Sequence, residues 1–116
     1  MMNLIEFSHD LLAAWNAHDL DVIMDHYSDD FEITSPVIKS VLGIEDGTIS
    51  GKENVRIWWR RVLDKVPDLK FTFHDTALTA DGSMLLMYKS SHNGKTVASA
   101  FHFNDKGQIK REIFYS

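Results

Sequence analysis

Three polar residues, Tyr88, Ser90 and His92, alternate along one segment of the chain, and their types could hold and orient a small molecule. A spacing of two residues puts side chains on the same face of a β-strand. A phenol or a hydroxyl can donate a hydrogen bond to a ligand carbonyl or accept one from a ligand hydroxyl. The alternation therefore predicts that the three side chains share one face of a strand, as a polar patch whose groups could orient a ligand. Ordinary hydrogen-bonded residues at the end of a strand would give the same pattern.

Several other kinds of active site are excluded by what the sequence lacks. The chain has no cysteine, so disulfides, thiolate catalysis and cysteine-based metal sites are ruled out. The six histidines form no His-x-His, no i, i+4 pair and no His-Glu-x-x-His motif, so we expect neither a metal nor another cofactor. The sequence also lacks a phosphate-binding P-loop and a Gly-x-Ser-x-Gly nucleophile elbow.

The charge balance argues against a nucleic-acid partner. Seventeen acidic residues against 12 basic ones give a net charge of -5, which disfavours binding to a phosphate backbone. One basic group, interleaved with acidic residues, indicates a solvated helix face: Arg56, Arg60, Arg61 and Lys65. No run approaches the roughly 18 apolar residues of a membrane span, and the N-terminal segment lacks the pattern of a secretory signal. We expect a cytoplasmic domain without a membrane partner.

The first part of the chain has the spacing of helices. Apolar residues recur at helical spacing from Leu4 to Ala17, after a capping box formed by Asn3 and Glu6. Asp19 is a suitable N-cap for a second helix, on which Tyr27 would share the buried face.

A strand and a longer helix follow. Residues 31–35 alternate as in a strand, and Pro36 would end its hydrogen-bond ladder. The segment 37–50 has a weak signal and is predicted to be a loop with a short strand. The strongest helical pattern covers residues 55–66, after a capping box at residues 50–53.

The C-terminal half has the two-residue period of strands. Glycine-containing turns separate four segments, as expected for hairpins. These segments are Leu69–Thr79, Met84–Ser91, Thr96–Asn104 and Ile109–Tyr115. Helices first and strands last predict one α+β domain over residues 1–116, with helices on one face of a sheet that ends in a four-stranded antiparallel meander.

The last two strands are apolar or bulky on both faces. Val97, Phe101 and Phe103 alternate with small alanines, and Ile109, Ile113 and Tyr115 would share one face, opposite to Phe114. A sheet with one face in water would alternate more cleanly between apolar and polar residues. The simplest cover for the second face is another copy of the chain, which predicts a homodimer through the sheet.

The order of these elements, together with several motifs, resembles the nuclear transport factor 2-like superfamily and its SnoaL-like branch. The motifs are residues 13–21, 28–30, 51–55, 67–69 and 111–114. The resemblance covers nearly the whole chain. It implies a cystatin-like cone in which three N-terminal helices pack on a strongly curved antiparallel sheet around an apolar pocket, often in a homodimer. It does not imply one activity, since members include isomerases, cyclases, epoxide hydrolases, dehydratases and non-enzymatic binders.

Comparison with the ketosteroid isomerases of this superfamily disfavours their mechanism. Those enzymes use a tyrosine on the first helix, an aspartate at the end of the first strand and an aspartic acid in the sheet. The corresponding positions here are Leu11, Ser35 and Ser99. Leucine donates no hydrogen bond, and serine without a base cannot remove a proton from carbon near neutral pH. The resemblance leaves these three residues as candidates for ligand contact only.

Limonene-epoxide hydrolases of the superfamily use two aspartates and an arginine, and a further pair of residues holds the attacking water. The arginine position falls here on Tyr88, one aspartate on Ser90, and the water-holding pair on Ile33 and Ser35. Only the acid of the last strand is kept, as Glu112. A single carboxyl can act as general acid or base, especially where an apolar surround raises its pKa. Glu112 is therefore the candidate catalytic residue, beside Tyr88 and Ser90. The alternative is a structural Glu112 that lies on the convex face or pairs with an arginine.

Large side chains are predicted to form the rest of the pocket wall. Trp59 lies where relatives often place a pocket aromatic that can donate a hydrogen bond, although core packing would also account for each tryptophan. The remaining candidates for ligand contact are Trp15, Trp58, Trp59, Leu86, Phe101 and Phe114.

The sequence thus supports two hypotheses. The first is a SnoaL-like pocket protein for a small apolar, oxygen-bearing molecule that acts by acid/base chemistry at Glu112 as a cyclase, isomerase, dehydratase or epoxide hydrolase. The second is a non-catalytic ligand-binding or dimeric assembly module of the same superfamily, in which Glu112 is structural.

Overall fold

The computed structural model describes residues 3–115, so Met1, Met2 and Ser116 of the predicted domain lie outside the described residues. The chain begins with the elements α1 (Leu4–Asn16), α2 (Leu20–Met24), β1 (Tyr27–Thr34), α3 (Pro36–Leu42), β2 (Thr48–Ser50) and α4 (Lys52–Lys65). It ends with the strands β3 (Phe71–Leu78), β4 (Met84–Ser90), β5 (Thr96–Phe103) and β6 (Ile109–Tyr115). The predicted α+β class and the C-terminal meander are confirmed.

All strands belong to one sheet in the order β2-β1-β6-β5-β4-β3. The four strands of the meander pair antiparallel, as predicted, and so do β1 and β2. The expectation of a wholly antiparallel sheet was wrong at one pair, because β1 and β6 run parallel. Parallel neighbours need a long crossover, and the whole chain between β1 and β6 supplies it here. The first and last strands consequently lie side by side in the middle of the sheet.

The segment after β1 differs from the prediction of a loop. Residues Pro36–Leu42 form α3, which makes four helices within residues 3–115 instead of three. Pro36 occupies the first turn of this helix, where a missing N–H costs nothing, and the Ser35 hydroxyl accepts a hydrogen bond from the Val37 amide at 3.1 Å. The proline therefore marks both the end of a strand, as its missing amide predicts, and the beginning of a helix, which the sequence pattern did not predict.

The helix caps were predicted with mixed success. Asn3 Oδ1 accepts the Glu6 amide at 3.0 Å, and Asp19 caps α2, as the sequence indicated. The capping box at residues 50–53 was wrong: Gly51 is the N-cap of α4, and no side chain caps it. The helix begins at Lys52, so the N-cap position falls on Gly51, and Ser50 is the last residue of β2.

A β-bulge in β6 decides which of its side chains face the helices. The register between β5 and β6 shifts between His102 and Phe103. Ile109 is fully buried before this shift, and after it Ile113 pairs with Ala100 on the outer face. The predicted common face of Ile109, Ile113 and Tyr115 is wrong for Ile109, because the bulge breaks the two-residue period.

Tyr27 was also misplaced. It opens β1 and is fully buried, whereas the sequence pattern put it on the second helix. Among residues 3–115, no helix has the length and apolar character that crossing a membrane would require.

The turn before β2 depends on Gly47, whose φ is +65° and whose carbonyl accepts the Ser35 amide at 2.9 Å. A Cβ at this position would lie 2.7 Å from the Ser35 carbonyl oxygen. We expect Gly47→Ala to lower the free energy of unfolding by about 2–3 kcal/mol, measured by urea unfolding.

Gly43→Ala is the matched control, because Gly43 has a φ of +70° but open space around it. Gly43→Ala should lower the free energy of unfolding by only about 1–2 kcal/mol, the cost of a left-handed conformation for a residue other than glycine. Equal losses in the two variants would contradict the assigned clash with Ser35.

Candidate functional site

A cavity of about 400 Å³ lies between the inner face of the sheet and the helices α1, α3 and α4. Most of its wall is apolar, with three tryptophans among the lining residues. The polar side chains that reach it are Thr34, Ser35, Arg61, Lys65, Tyr88, Ser90, His92, Asn93 and Glu112. Its volume and lining are typical of a small-molecule site.

A second cleft of about 430 Å³ lies between α2 and α4 and is lined mainly by charged side chains. Two of these, Asp21 and Arg56, form an ion pair at 2.6 Å across the cleft. Both side chains are substantially exposed to solvent. We assign the candidate site to the apolar cavity, since only it contains a buried titratable group.

Glu112 reaches the cavity from the middle of the sheet. It is the register partner of Phe101 on β5 and of Ile33 on β1, and both of these side chains are buried on the inner face. The Tyr27 hydroxyl donates a hydrogen bond to Glu112 Oε1 at 2.6 Å. The acid is therefore enclosed by apolar groups and held on one oxygen by a phenol.

Burial raises the pKa of Glu112 from 4.5 to about 7. Hydrogen bonds from the hydroxyls of Tyr27 and Ser99 favour the carboxylate and oppose this rise, but they do not cancel it. Burial also raises the pKa of Tyr27 well above its ordinary value, and the negative charge of Glu112 raises it further. Tyr27 thus stays protonated and remains a hydrogen-bond donor at every pH at which Glu112 titrates.

Neither structural alternative for Glu112, a place on the convex face or an ion pair with an arginine, agrees with the structure. Glu112 faces inward, not to the convex side. The ion pairs found within residues 3–115 are Lys52–Asp29, Arg56–Asp21 and Arg111–Glu32. The neighbouring Arg111 therefore pairs with Glu32, and its guanidinium contributes no counter-charge to the cavity.

Tyr88 has a partner behind the cavity wall. Its hydroxyl oxygen lies 2.9 Å from Ser99 Oγ, and both side chains are buried. Burial, and then the charge of Glu112, raises the pKa of Tyr88. Tyr88 is a neutral phenol on the cavity surface, and it is supported by Ser99 in a fixed orientation.

Aromatic rings surround the acid and its partner. The Trp59 ring packs edge-on against Trp15 at 4.9 Å and against Tyr27 at 5.0 Å between centroids. On the opposite side Phe71 meets Tyr88 at 4.9 Å. These contacts fix the wall of the cavity and keep its dielectric low around Glu112.

Most residues that the sequence proposed for the site lie on the cavity surface. These are Trp15, Ser35, Trp58, Trp59, Tyr88, Ser90, Glu112 and Phe114. The other four are closed in the core beneath the cavity and at most 2% exposed, namely Leu11, Leu86, Ser99 and Phe101. They point inward as expected, but tight packing of α1 on the sheet leaves no space beside them. Only Ser99 remains connected to the site, through its hydrogen bond with Tyr88 and through the Glu112 carboxylate, which its hydroxyl favours.

Sequence reasoning missed two parts of the site. Tyr27 donates the hydrogen bond to Glu112 from 85 residues earlier in the chain, and no local pattern signals such a pair. Arg61 and Lys65 line the cavity, although their spacing indicated only a solvated helix face. In the described part of the chain, no group of three or more His, Asp or Glu side chains lies together as metal ligands.

This arrangement defines a class: a small cone-shaped domain whose curved sheet and helices enclose an apolar cavity with one acid among its lining residues. The sequence model of the SnoaL-like domain family matches residues 9–112. The chain therefore belongs to the SnoaL-like domain family. No curated protein matches it in sequence.

Similar solved structures support the same assignment. A SnoaL-like protein of unknown function from Burkholderia thailandensis is 36% identical with a TM-score of 0.91, over 97% of this chain and 93% of that one. An NTF2-like protein from Cytophaga hutchinsonii is 17% identical with a TM-score of 0.69, over 99% and 90%. A Mycobacterium tuberculosis protein in complex with estradiol-17beta-hemisuccinate is 21% identical with a TM-score of 0.73, over 97% and 92%. The last two likenesses show the fold alone.

Glu112 should give the protein a measurable dependence of stability on pH. Because its pKa in the folded protein is about 7 and its ordinary value is 4.5, the folded state binds this proton more tightly than the unfolded chain. The stabilising contribution is complete below about pH 4.5 and is lost as the pH rises through about 7. Over this interval the protein should lose up to about 3 kcal/mol relative to Glu112→Gln, which cannot titrate.

Urea unfolding of both proteins at several pH values measures this difference. Glu32→Gln serves as the control, because it removes a carboxyl from the neighbouring strand without touching the cavity. Parallel pH profiles for the parent protein and Glu112→Gln would contradict the raised pKa.

Proposed function

We propose that the protein binds a mostly apolar, oxygen-bearing small molecule in the cavity and that Glu112 acts on it as a general acid or base. The observation that carries this proposal is a carboxyl with a pKa of about 7 on the wall of an apolar cavity. Near neutral pH both protonation states of such a group are populated. A group of this kind can take a proton from a ligand and return it, which is the requirement for acid/base catalysis.

Tyr27 supports this role as a positioning residue. Its hydrogen bond holds Oε1 of Glu112 in one orientation, and the buried phenol cannot itself take the proton. Tyr27 is not among the residues that line the cavity, so the ligand meets the acid and not its support. An acid whose rotamer is fixed in this way loses less entropy when the reaction begins.

Tyr88 and Ser90 are proposed to orient the ligand. They lie two residues apart on β4 and both reach the cavity. A neutral phenol can donate to a carbonyl, hydroxyl or epoxide oxygen while Glu112 handles the proton. Isomerisation, cyclisation, dehydration and epoxide opening all need this combination. The M. tuberculosis protein of the same fold, solved with a steroid ester, supports an apolar molecule with oxygen groups as the class of ligand.

Native mass spectrometry of freshly purified protein tests the binding step. We expect a small apolar compound to co-purify, and the same compound then serves as the substrate for assays. Glu112→Gln should retain the compound but lower its turnover by at least about 100-fold, the usual contribution of a general acid or base. Glu32→Gln should behave like the parent protein.

Two outcomes would contradict parts of this proposal. If the parent protein retains the compound and never converts it, the protein is a non-catalytic binding module. If Glu112→Gln converts it at the parent rate, Glu112 is not the acid or base.

The outer face of the sheet favours a second, compatible role in assembly. Two apolar cross-strand rows lie on it, Leu85–Ala100–Ile113 and Met87–Ala98–Tyr115. The small side chains of Ala98 and Ala100 form the middle of this surface, with larger apolar groups on each side. The small side chains leave room for large apolar groups of a second sheet to pack against this face, and we propose that a second copy of the chain covers it.

Sedimentation velocity at micromolar concentration tests the assembly role. We expect a dimer for the parent protein and a monomer for Ala100→Glu, because a charge at the centre of the interface would be buried without a partner. Ala13→Glu, on the exposed side of α1, should remain dimeric. A monomeric parent protein would contradict the proposed dimer.

A further inference from the structure

The rim of the cavity carries two positive charges. Arg61 and Lys65 lie one turn apart on α4, and both line the cavity although their residues are exposed. Residues four apart on a helix share a face, so the two cations reach the same part of the opening. Glu112 reaches the cavity from the sheet, across from α4, where its strand neighbours Ile33 and Phe101 are buried.

Neither rim cation is neutralised by an acid in the part of the chain that the structure describes. The ion pairs in residues 3–115 use Lys52, Arg56 and Arg111 as their cations. Glu112 is the one acidic side chain among the cavity-lining residues. The protein as a whole has a net charge of -5, so the positive pair at this apolar cavity is opposite in sign to the net charge of the molecule.

The guanidinium of Arg61 is held against the cavity wall. Its Cζ lies 6.0 Å from the centre of the Trp58 ring, within the range of a cation–π contact. Trp58 is itself 8% exposed and lines the cavity. This contact places the Arg61 guanidinium at the rim, and its hydrogen-bond donors have no acidic partner among residues 3–115.

The α4 rim and the sheet wall of the cavity would therefore accept different parts of a ligand. An anionic group at the sheet wall would lie beside Glu112 in a low-dielectric surround, where like charges repel strongly. At the rim it would meet two cations and partial solvation. The wall between them is apolar and suits an uncharged body.

We propose that the ligand of this cavity is an apolar acid: a molecule with an uncharged apolar body and one anionic group, which binds to Arg61 and Lys65 at the rim. This inference rests on the proposed function, since it names the chemical class of the molecule on which Glu112 acts. It also sets the orientation of that molecule, with its neutral oxygen groups toward Glu112 and Tyr88.

Ordinary structural roles for the two cations predict a different behaviour. In such roles Lys65 would only stabilise the negative C-terminal end of the α4 dipole, and Arg61 would only make a cation–π contact with Trp58. In that case their removal would affect charged and uncharged ligands equally. A pair of otherwise matched ligands separates these possibilities.

Anilinonaphthalene sulfonate and its uncharged counterpart phenylnaphthylamine are such a pair, and both gain fluorescence in apolar sites. We expect the parent protein to bind the sulfonate more tightly and each dye to displace the other. The double variant Arg61→Gln/Lys65→Gln should weaken sulfonate binding roughly tenfold and phenylnaphthylamine binding less than about twofold. Added sodium chloride should weaken sulfonate binding to the parent protein but not to the double variant.

Arg60→Gln is the control, because Arg60 is the exposed neighbour of Arg61 and does not line the cavity. It should change the affinity for either dye by less than about twofold. Equal weakening of both dyes by the double variant, or equal effects of Arg60→Gln and Arg61→Gln, would overturn the inference. If the parent protein binds phenylnaphthylamine but the double variant does not weaken sulfonate binding, only the inference about the anionic group fails. If neither dye binds the parent protein, the proposed ligand cavity fails as well.

Discussion

The hydrogen bond between Tyr27 and Glu112 connects the first strand of the sheet to the last, and the candidate site depends on it. The bond exists because β1 and β6 run side by side in parallel. It also needs the bulge in β6, which lets Ile109 and Glu112 both face the helices. If either feature were lost, the acid would move away from its phenol or turn to the outer face. The distance between the Tyr27 hydroxyl and Glu112 Oε1 therefore depends on the strand order of the whole sheet.

A buried carboxyl is expensive for a domain of this size, since typical domains are stable by only about 5–15 kcal/mol. Here the cost is moderated in two ways. Hydroxyls of Tyr27 and Ser99 interact with the charged form, and protonation near neutral pH removes the charge. The aromatic packing around Trp59 supplies apolar burial in the same region. The environment that gives Glu112 a pKa suited to acid/base chemistry therefore also lowers the stability of the fold when the carboxyl is charged. Such a conflict is typical of functional sites.

The single sheet has two apolar faces with different character. Its inner face carries large side chains, a cavity and the polar network of Glu112. Its outer face carries the small Ala98 and Ala100 between larger apolar residues. A strand whose two faces are both apolar gives no local sign of which face meets the helices. The pairing register between strands determines which face meets the helices, because a shift by one residue exchanges the two faces.

Local patterns in the sequence determined the elements of this protein: the Asn3 and Asp19 caps, the long amphipathic helix and the four strands separated by glycine turns. Each depends on interactions within a few residues, as does the inward direction of Leu11, Leu86 and Phe101. Glu112, Tyr88 and Ser90 were identified as candidates by a resemblance that extends along the chain. The tertiary structure alone decided the parallel pairing of β1 and β6, the bulge at Ile109, the partnership of Tyr27 with Glu112 and the place where the cavity ends. Those features depend on contacts between segments far apart in sequence, and on packing that leaves space beside Tyr88 but none beside Leu11. Neither the distance between two remote side chains nor the volume left between them is encoded in local spacing.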